Sequence, residues 1–213
     1  MELLAQLVDI VLHLDQHLAW FLHEYGIWIY ALLFLIVFAE TGLVVTPFLP
    51  GDSLLFVAGT LAAAGGLHVG WLAATLMAAA ITGDSTNYWI GRYLGPKVFR
   101  REDSWFFHRD HLMRTERFYE RHGGKTVVLA RFLPILRTFA PFVAGVGRMP
   151  YGRFLIFSVC GTLLWVGSLV AAGYFFGTLP FVKQNLSLVI LAIVVVSLLP
   201  ATVELIRHRL RRT

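Results

Sequence analysis

Thr46-Pro47-Phe48-Leu49-Pro50-Gly51-Asp52 and Arg131-Phe132-Leu133-Pro134-Ile135-Leu136-Arg137 each break a stretch that is otherwise apolar, one carrying acid and the other base. Helix-breaking prolines beside ionisable groups at membrane depth are tolerated only where the irregular backbone is buried in protein or lines a wet cavity. Charges at that depth are functional-site candidates by default. The two segments therefore predict a translocation site rather than a simple anchor.

The context of these segments is a membrane chain. Its 213 residues are 57% hydrophobic, with a mean hydropathy of +0.69, far above a soluble domain. Phe154 to Phe176 runs 23 residues without a charge and Leu186 to Val203 a further 18. Each is long enough to cross a hydrocarbon core of roughly 30 Å. The N-terminus lacks the basic run of a cleavable signal, so we expect nothing to be removed there. The single cysteine, Cys160, excludes an intramolecular disulfide and a cysteine metal site; lying in an apolar run, it is expected to be a small packing residue.

Charge is distributed unevenly. All 18 Lys and Arg fall after residue 91, whereas the preceding residues carry only the acids Glu2, Asp9, Asp15, Glu24, Glu40, Asp52 and Asp84. The positive-inside bias places the loop from Arg92 to Lys125 and the tail from Arg207 to Arg212 in the cytoplasm. The net charge of +5 is then a topology signal, with no call for nucleic acid. Arg148 and Arg153 are expected to anchor the cytoplasmic end of the helix that follows them.

An internal repeat organises the rest. Phe56-Val57-Ala58-Gly59 recurs as Phe142-Val143-Ala144-Gly145, an offset of 86, and Tyr88-Trp89-Ile90-Gly91 matches Tyr174-Phe175-Phe176-Gly177 at the same offset. Each half reads as an amphipathic segment, a proline-interrupted re-entrant hairpin and a crossing helix. The hairpins are predicted over 27–64 and 126–147, and the crossing helices over 69–91 and 151–177. The expected fold class is thus an all-α integral membrane protein forming one membrane domain. Its parts are a first half over 1–95, an inverted second half over 100–178, a transmembrane helix over 185–206 and a basic tail over 207–213. Such inverted halves place a site at the membrane midplane in many secondary transporters. Trp105, Leu112 and Tyr119 recur at a spacing of seven with arginines elsewhere on the wheel, the pattern of an interfacial helix over 104–122. Residues 2–24 look like its counterpart without the bases, which places the N-terminus and the 65–70 turn on the periplasmic side. Ile27 to Val45 would also suffice for a full span; the absence of Lys and Arg before it favours the hairpin.

The candidate site follows. In low dielectric an isolated carboxylate keeps its proton, and beside an arginine it gives it up. Glu40 and Asp52, brought near each other or near the facing arginines by the hairpin, are therefore suited to proton coupling. Asp52 would also serve as a helix N-cap after Pro50-Gly51. Pro134 breaks the helix between Arg131 and Arg137 and allows both to converge. Guanidinium binds phosphate oxygens through a rigid fork, so an anionic headgroup is the expected ligand. Asp84, Asn87, Pro47, Pro50, Gly51, Pro134 and Thr138 are candidates for the cavity lining. The histidines show no metal-ligand spacing, and no cofactor is implied. Gly51-Asp52-Ser53-Leu54 spells the opening of a GDSL hydrolase, but no Asp-x-x-His follows to complete a triad. Ser53 is read as a helix residue and no enzyme is predicted.

Phe38-Ala39-Glu40-Thr41-Gly42, Thr46 to Asp52, Gly83-Asp84 with Asn87-Tyr88 and Gly91-Arg92, His122-Gly123-Gly124-Lys125, Ala130 to Pro134, and Arg137-Thr138-Phe139-Ala140-Pro141-Phe142-Val143-Ala144-Gly145 together resemble the bacterial DedA family over nearly the whole chain. The resemblance implies a multi-pass inner-membrane protein of the wider VTT, or SNARE-associated, group, whose members translocate or scramble lipids. In bacteria this includes the return of undecaprenyl phosphate to the cytoplasmic leaflet, driven by the proton gradient. The family's acidic pair falls on Glu40 and Asp52 and its arginine pair on Arg131 and Arg137, with no departure at those positions. The expected function is a proton-coupled flippase for a lipid with an anionic phosphate headgroup, undecaprenyl phosphate or a phospholipid. The alternatives are an energy-independent scramblase, or a small-ion or proton antiporter acting on membrane homeostasis. A homo-oligomer is compatible with the sequence.

Overall fold

Two long helices carry the architecture, and the shorter ones are distributed over them. The computed structural model describes residues 14–43, 51–98, 125–131, 134–193 and 195–196. The described elements are helical: α1 (Leu14–Tyr25), α2 (Trp28–Gly42), α3 (Gly51–Ala63), α4 (Val69–Val98), α5 (Lys125–Ala130), α6 (Pro134–Val146), α7 (Tyr151–Phe176), α8 (Pro180–Gln184) and α9 (186–193). The interfacial helix expected over 104–122, the basic tail, Pro47 and Pro50 lie outside the described residues.

Helix α4 has 30 residues and α7 has 26, roughly 45 and 39 Å at 1.5 Å per residue. Among the described residues α7 is the helix both long and apolar enough to cross a membrane. Helix α4 runs past the expected end at Gly91 to Val98. Pro134 stands at the first position of α6, where its missing N–H costs nothing.

The arms of each expected hairpin part company. Helices α2 and α6 pack on α4, whereas α3 and α5 pack on α7. Each pair of arms thus spans both long helices.

The repeated Phe-Val-Ala-Gly motif explains the closest of these contacts. A Cβ built on Gly145 would stand 2.8 Å from the Arg92 nitrogen, and one on Gly59 would stand 3.1 Å from the Tyr174 nitrogen. In return, Gly91 faces the Phe142 carbonyl group and Gly173 faces that of Phe56. Small residues let membrane helices approach to backbone contact. The motif therefore makes the same contact twice, with one correction to the expected register. Gly91 corresponds in its contact to Gly173, not to Gly177, a difference of one helical turn that preserves the helix face.

The main core lies between α2, α3, α4 and α7. Ile29, Leu33 and Val37 form one stripe of α2 against Leu72, Leu76 and Ala80 of α4, and Leu54, Leu55 and Ala58 of α3 meet Val166 and Val170 of α7. A smaller cluster joins Tyr88, Ala144, Met149 and Phe154. The outside is apolar as well: Trp28, Leu35, Trp71, Ile156, Leu163, Leu164 and Phe175 are all exposed, the inverse of a soluble surface. Cys160 belongs to this outer face of α7 and is exposed, so the expectation that it packs is corrected. On α7 it falls in sequence between the buried Ser158 and Gly161.

Candidate functional site

Buried among these helices is a cluster of five ionisable side chains. Arg137 of α6 is its centre, reaching Asp52 Oδ1 with Nη1 at 2.7 Å and Glu40 Oε1 with Nη2. Glu40 sits in the last turn of α2 and is fully buried. Asp52 sits in the first turn of α3, its side chain 19% exposed. The two acids come from the two arms that expected a hairpin, and one guanidinium clamps both.

Gly51 makes room for this arrangement. A Cβ there would stand 2.5 Å from the Glu40 Cδ, so the Glu40 carboxyl group occupies the volume that any other residue would fill. The glycine expected from the sequence to line the cavity is thus a cradle for the acid.

Arg131 lies just past α5 and pairs through Nη2 with Asp84 Oδ2 of α4. Ser158 of α7 donates to the same carboxylate oxygen at 2.6 Å and accepts from Arg131 at 3.3 Å. Gly161, one turn on, keeps the space open, since a Cβ there would meet Arg131 Cδ at 2.8 Å. The two arginines expected to act together are therefore divided between different acids. Asp84, expected only to line the cavity, is the partner that holds Arg131.

What joins the two pairs is an indole that the sequence reading passed over. The Arg137 guanidinium carbon lies 4.5 Å from the centroid of the Trp165 ring and that of Arg131 lies 5.9 Å from it, within cation–π range. Trp165 Nε1 donates to Asp52 Oδ1 at 2.8 Å. A signal for Trp165 was present. Ser158, Thr162 and Trp165 recur at helical spacing along one stripe of α7, and an indole N–H in mid-span, away from the interfacial belt, needs a partner.

Asn87 and Thr138 tie the frame together. Asn87 Nδ2 donates to the Thr41 carbonyl at 3.1 Å and to the Thr138 carbonyl at 2.7 Å, bracing α4 against α2 and α6. Both residues are fully buried, and the Asn87 amide acts as a strut. Several guanidinium donors remain unspent: among the described residues Arg131 Nε, Arg131 Nη1 and Arg137 Nε meet no acceptor. Buried donors of this kind are costly to leave unpaired.

Comparison with known proteins shows what the chain is similar to. The VTT domain model matches residues 49–175, which include Asp52, Asp84, Arg131, Arg137 and Trp165. The Escherichia coli K12 Protein DedA is 56% identical over 98% of this chain and 96% of its own length. The chain belongs to the DedA family. Other relatives include the uncharacterized membrane protein Rv0364 of Mycobacterium tuberculosis H37Rv, 48% identical over 84% of this chain and 80% of its own. The E. coli K12 inner membrane protein YghB is 36% identical over 74% of this chain and 72% of its own. No solved structure matches the chain. This DedA-family chain is accordingly a membrane protein with a VTT domain whose described elements are helical.

Proposed function

We propose that this protein is a proton-coupled translocase of the inner membrane that moves a lipid by its phosphate headgroup, undecaprenyl phosphate or a phospholipid, without altering it chemically. The observation that carries the reading is the make-up of the buried cluster: three carboxyl groups share two guanidiniums, and guanidinium donors are left over. A buried ion network is weak evidence for stability, because apolar residues of the same volume often serve as well. In a lipid-facing fold its retention speaks for function.

The chemistry of exchange follows from the pairing. With Glu40 and Asp52 ionised, both terminal nitrogens of Arg137 are engaged. A proton on either acid withdraws one claim on the fork, and a phosphate, which guanidinium binds with the same geometry as a carboxylate, takes the vacated position. Loss of the proton returns the acid to Arg137 and expels the phosphate. Arg131 offers its unspent donors to the same headgroup while Asp84 and Ser158 hold it. Trp165 keeps both guanidiniums oriented and excludes water from one side.

The surrounding architecture is read as an inverted repeat whose re-entrant arms bring the acids and the arginines to the midplane from opposite sides, with the C-terminus cytoplasmic. Support comes from the doubled Phe-Val-Ala-Gly contact and from arms that divide between α4 and α7. The test is leaflet-resolved movement of undecaprenyl phosphate and common phospholipids in proteoliposomes, with and without a proton gradient. Transport that follows the gradient supports the proposal. Equal movement in both directions without one makes the protein a scramblase, and lipid movement no faster than in empty vesicles removes lipid from its function.

A further inference from the structure

At the far end of α4, away from the acid–arginine cluster, lies a cleft of about 290 Å³ lined by Trp89, Arg92, Tyr93 and Arg148. Arg148 reaches it from an unusual backbone position. Helix α6 ends with Arg148 N–H on the Gly145 carbonyl at 3.0 Å and Met149 N–H on the Ala144 carbonyl at 3.1 Å, the bonding of a Schellman cap. Such a cap needs a left-handed residue, normally glycine, and here Arg148 takes it at φ 51°. Gly147 stands next to that position and not in it.

The same chain supplies the control. Helix α3 closes with the same two bonds, Gly65 N–H to the Ala62 carbonyl at 3.1 Å and Gly66 N–H to the Leu61 carbonyl at 3.0 Å, and there the left-handed residue is Gly65, at φ 84°. One turn uses the residue that the geometry favours and the other carries a strained arginine. Backbone strain of this sort persists where the surroundings impose it, and it collects at binding sites.

The surroundings impose it through Tyr88. Its hydroxyl donates to the Met149 carbonyl, which fastens the turn, and accepts from Arg92 Nη1 at 2.9 Å, which aims the second guanidinium at the same cleft. Trp89 lies 6.0 Å below Arg92 and 39% exposed, and Tyr93 beside it is 69% exposed. Arg148 is exposed and takes part in none of the ion pairs among the described residues. One guanidinium held over an indole by Tyr88, with a second carried beside it on a constrained backbone, forms a receptor for a phosphate ester whose tails lie along apolar helix surface.

We infer that this cleft holds the phosphate of a resident anionic phospholipid, bound at the membrane surface and not carried through the protein. The inference stands apart from the transport reading, since it uses none of the cluster's residues.

The test is native mass spectrometry of the full chain in detergent, titrated with dioleoyl-phosphatidylglycerol. Arg148→Gly and Arg92→Gln should each weaken the tightest lipid about ten- to a hundredfold, as expected on losing a charged hydrogen bond. Arg148→Gly should also raise the melting temperature by about 2–4 °C, because glycine relieves the strain. Arg153→Gln, an exposed arginine outside the cleft, and Arg137→Ala should leave that lipid in place. Binding unchanged in both cleft variants overturns the inference, as does equal loss in Arg153→Gln or loss confined to Arg137→Ala. Displacement by inorganic phosphate at equal concentration would assign the cleft to free phosphate and overturn the lipid.

Discussion

Arg137 serves two carboxylates through two different nitrogens, so its planar fork is used and not only its charge. Lysine keeps the charge and loses the fork. Arg137→Lys should therefore cut lipid transport in proteoliposomes nearly as far as Arg137→Ala, by about tenfold or more for the loss of one charged hydrogen bond. Glu40→Gln should retain lipid binding and lose the response to a proton gradient, because an amide has the acid's shape but exchanges no proton. A second residue-scale expectation concerns Gly51. Gly51→Ala places a methyl group against the Glu40 carboxyl and should lower stability by about 1–3 kcal/mol, the usual cost of overpacking. Combined with Glu40→Ala, which empties that volume, its cost should largely vanish, so the melting temperatures of the four proteins in the double-mutant cycle should depart from additivity. Additive losses would mean that Gly51 is needed for something other than the acid.

At the scale of elements, the paired glycine contacts hold the second arm of each half against the long helix of the other. The Cβ of Gly145→Ala meets backbone atoms of Tyr88 and Arg92, and that of Gly59→Ala meets those of Val170 and Tyr174. Backbone on both sides cannot yield as a side chain does. Each substitution should lower the melting temperature, and Gly145→Ala should also impair transport by shifting α6 and with it Arg137. Much of this arrangement was legible in the sequence. The repeated motif marked Gly59 and Gly145 without saying what they touch, and charge in an apolar setting singled out Glu40, Asp52, Arg131 and Arg137. What could not be read was partnership across elements. Asp84 and Arg131 are 47 residues apart, and nothing local to either says that they meet. Trp165 was hidden for a different reason: an aromatic residue in an apolar span reads as packing until its N–H is asked for an acceptor. Cys160 failed because a membrane helix is apolar on every face, which leaves composition silent about which face is buried.

At the scale of the whole molecule, the exposed apolar side chains among the described residues surround an apolar core that holds one charged cluster. Orientation is the first consequence to check. In a chain with the exposed Cys160 replaced by serine, a cysteine introduced at Gln6 should react with a membrane-impermeant thiol reagent in intact spheroplasts. Protection there would place the N-terminus inside and make 27–45 a full span. The central claim is an exchange in which phosphate replaces carboxylate on Arg137 and the displaced carboxylate takes up a proton. It is measured most directly by adding a short-chain polyprenyl phosphate to the purified protein in weakly buffered detergent and following pH with an indicator dye. The exchange predicts uptake of about one proton for each lipid phosphate bound, abolished in Glu40→Gln. Saturable binding of the phosphate to the unaltered protein with no proton taken up would contradict it.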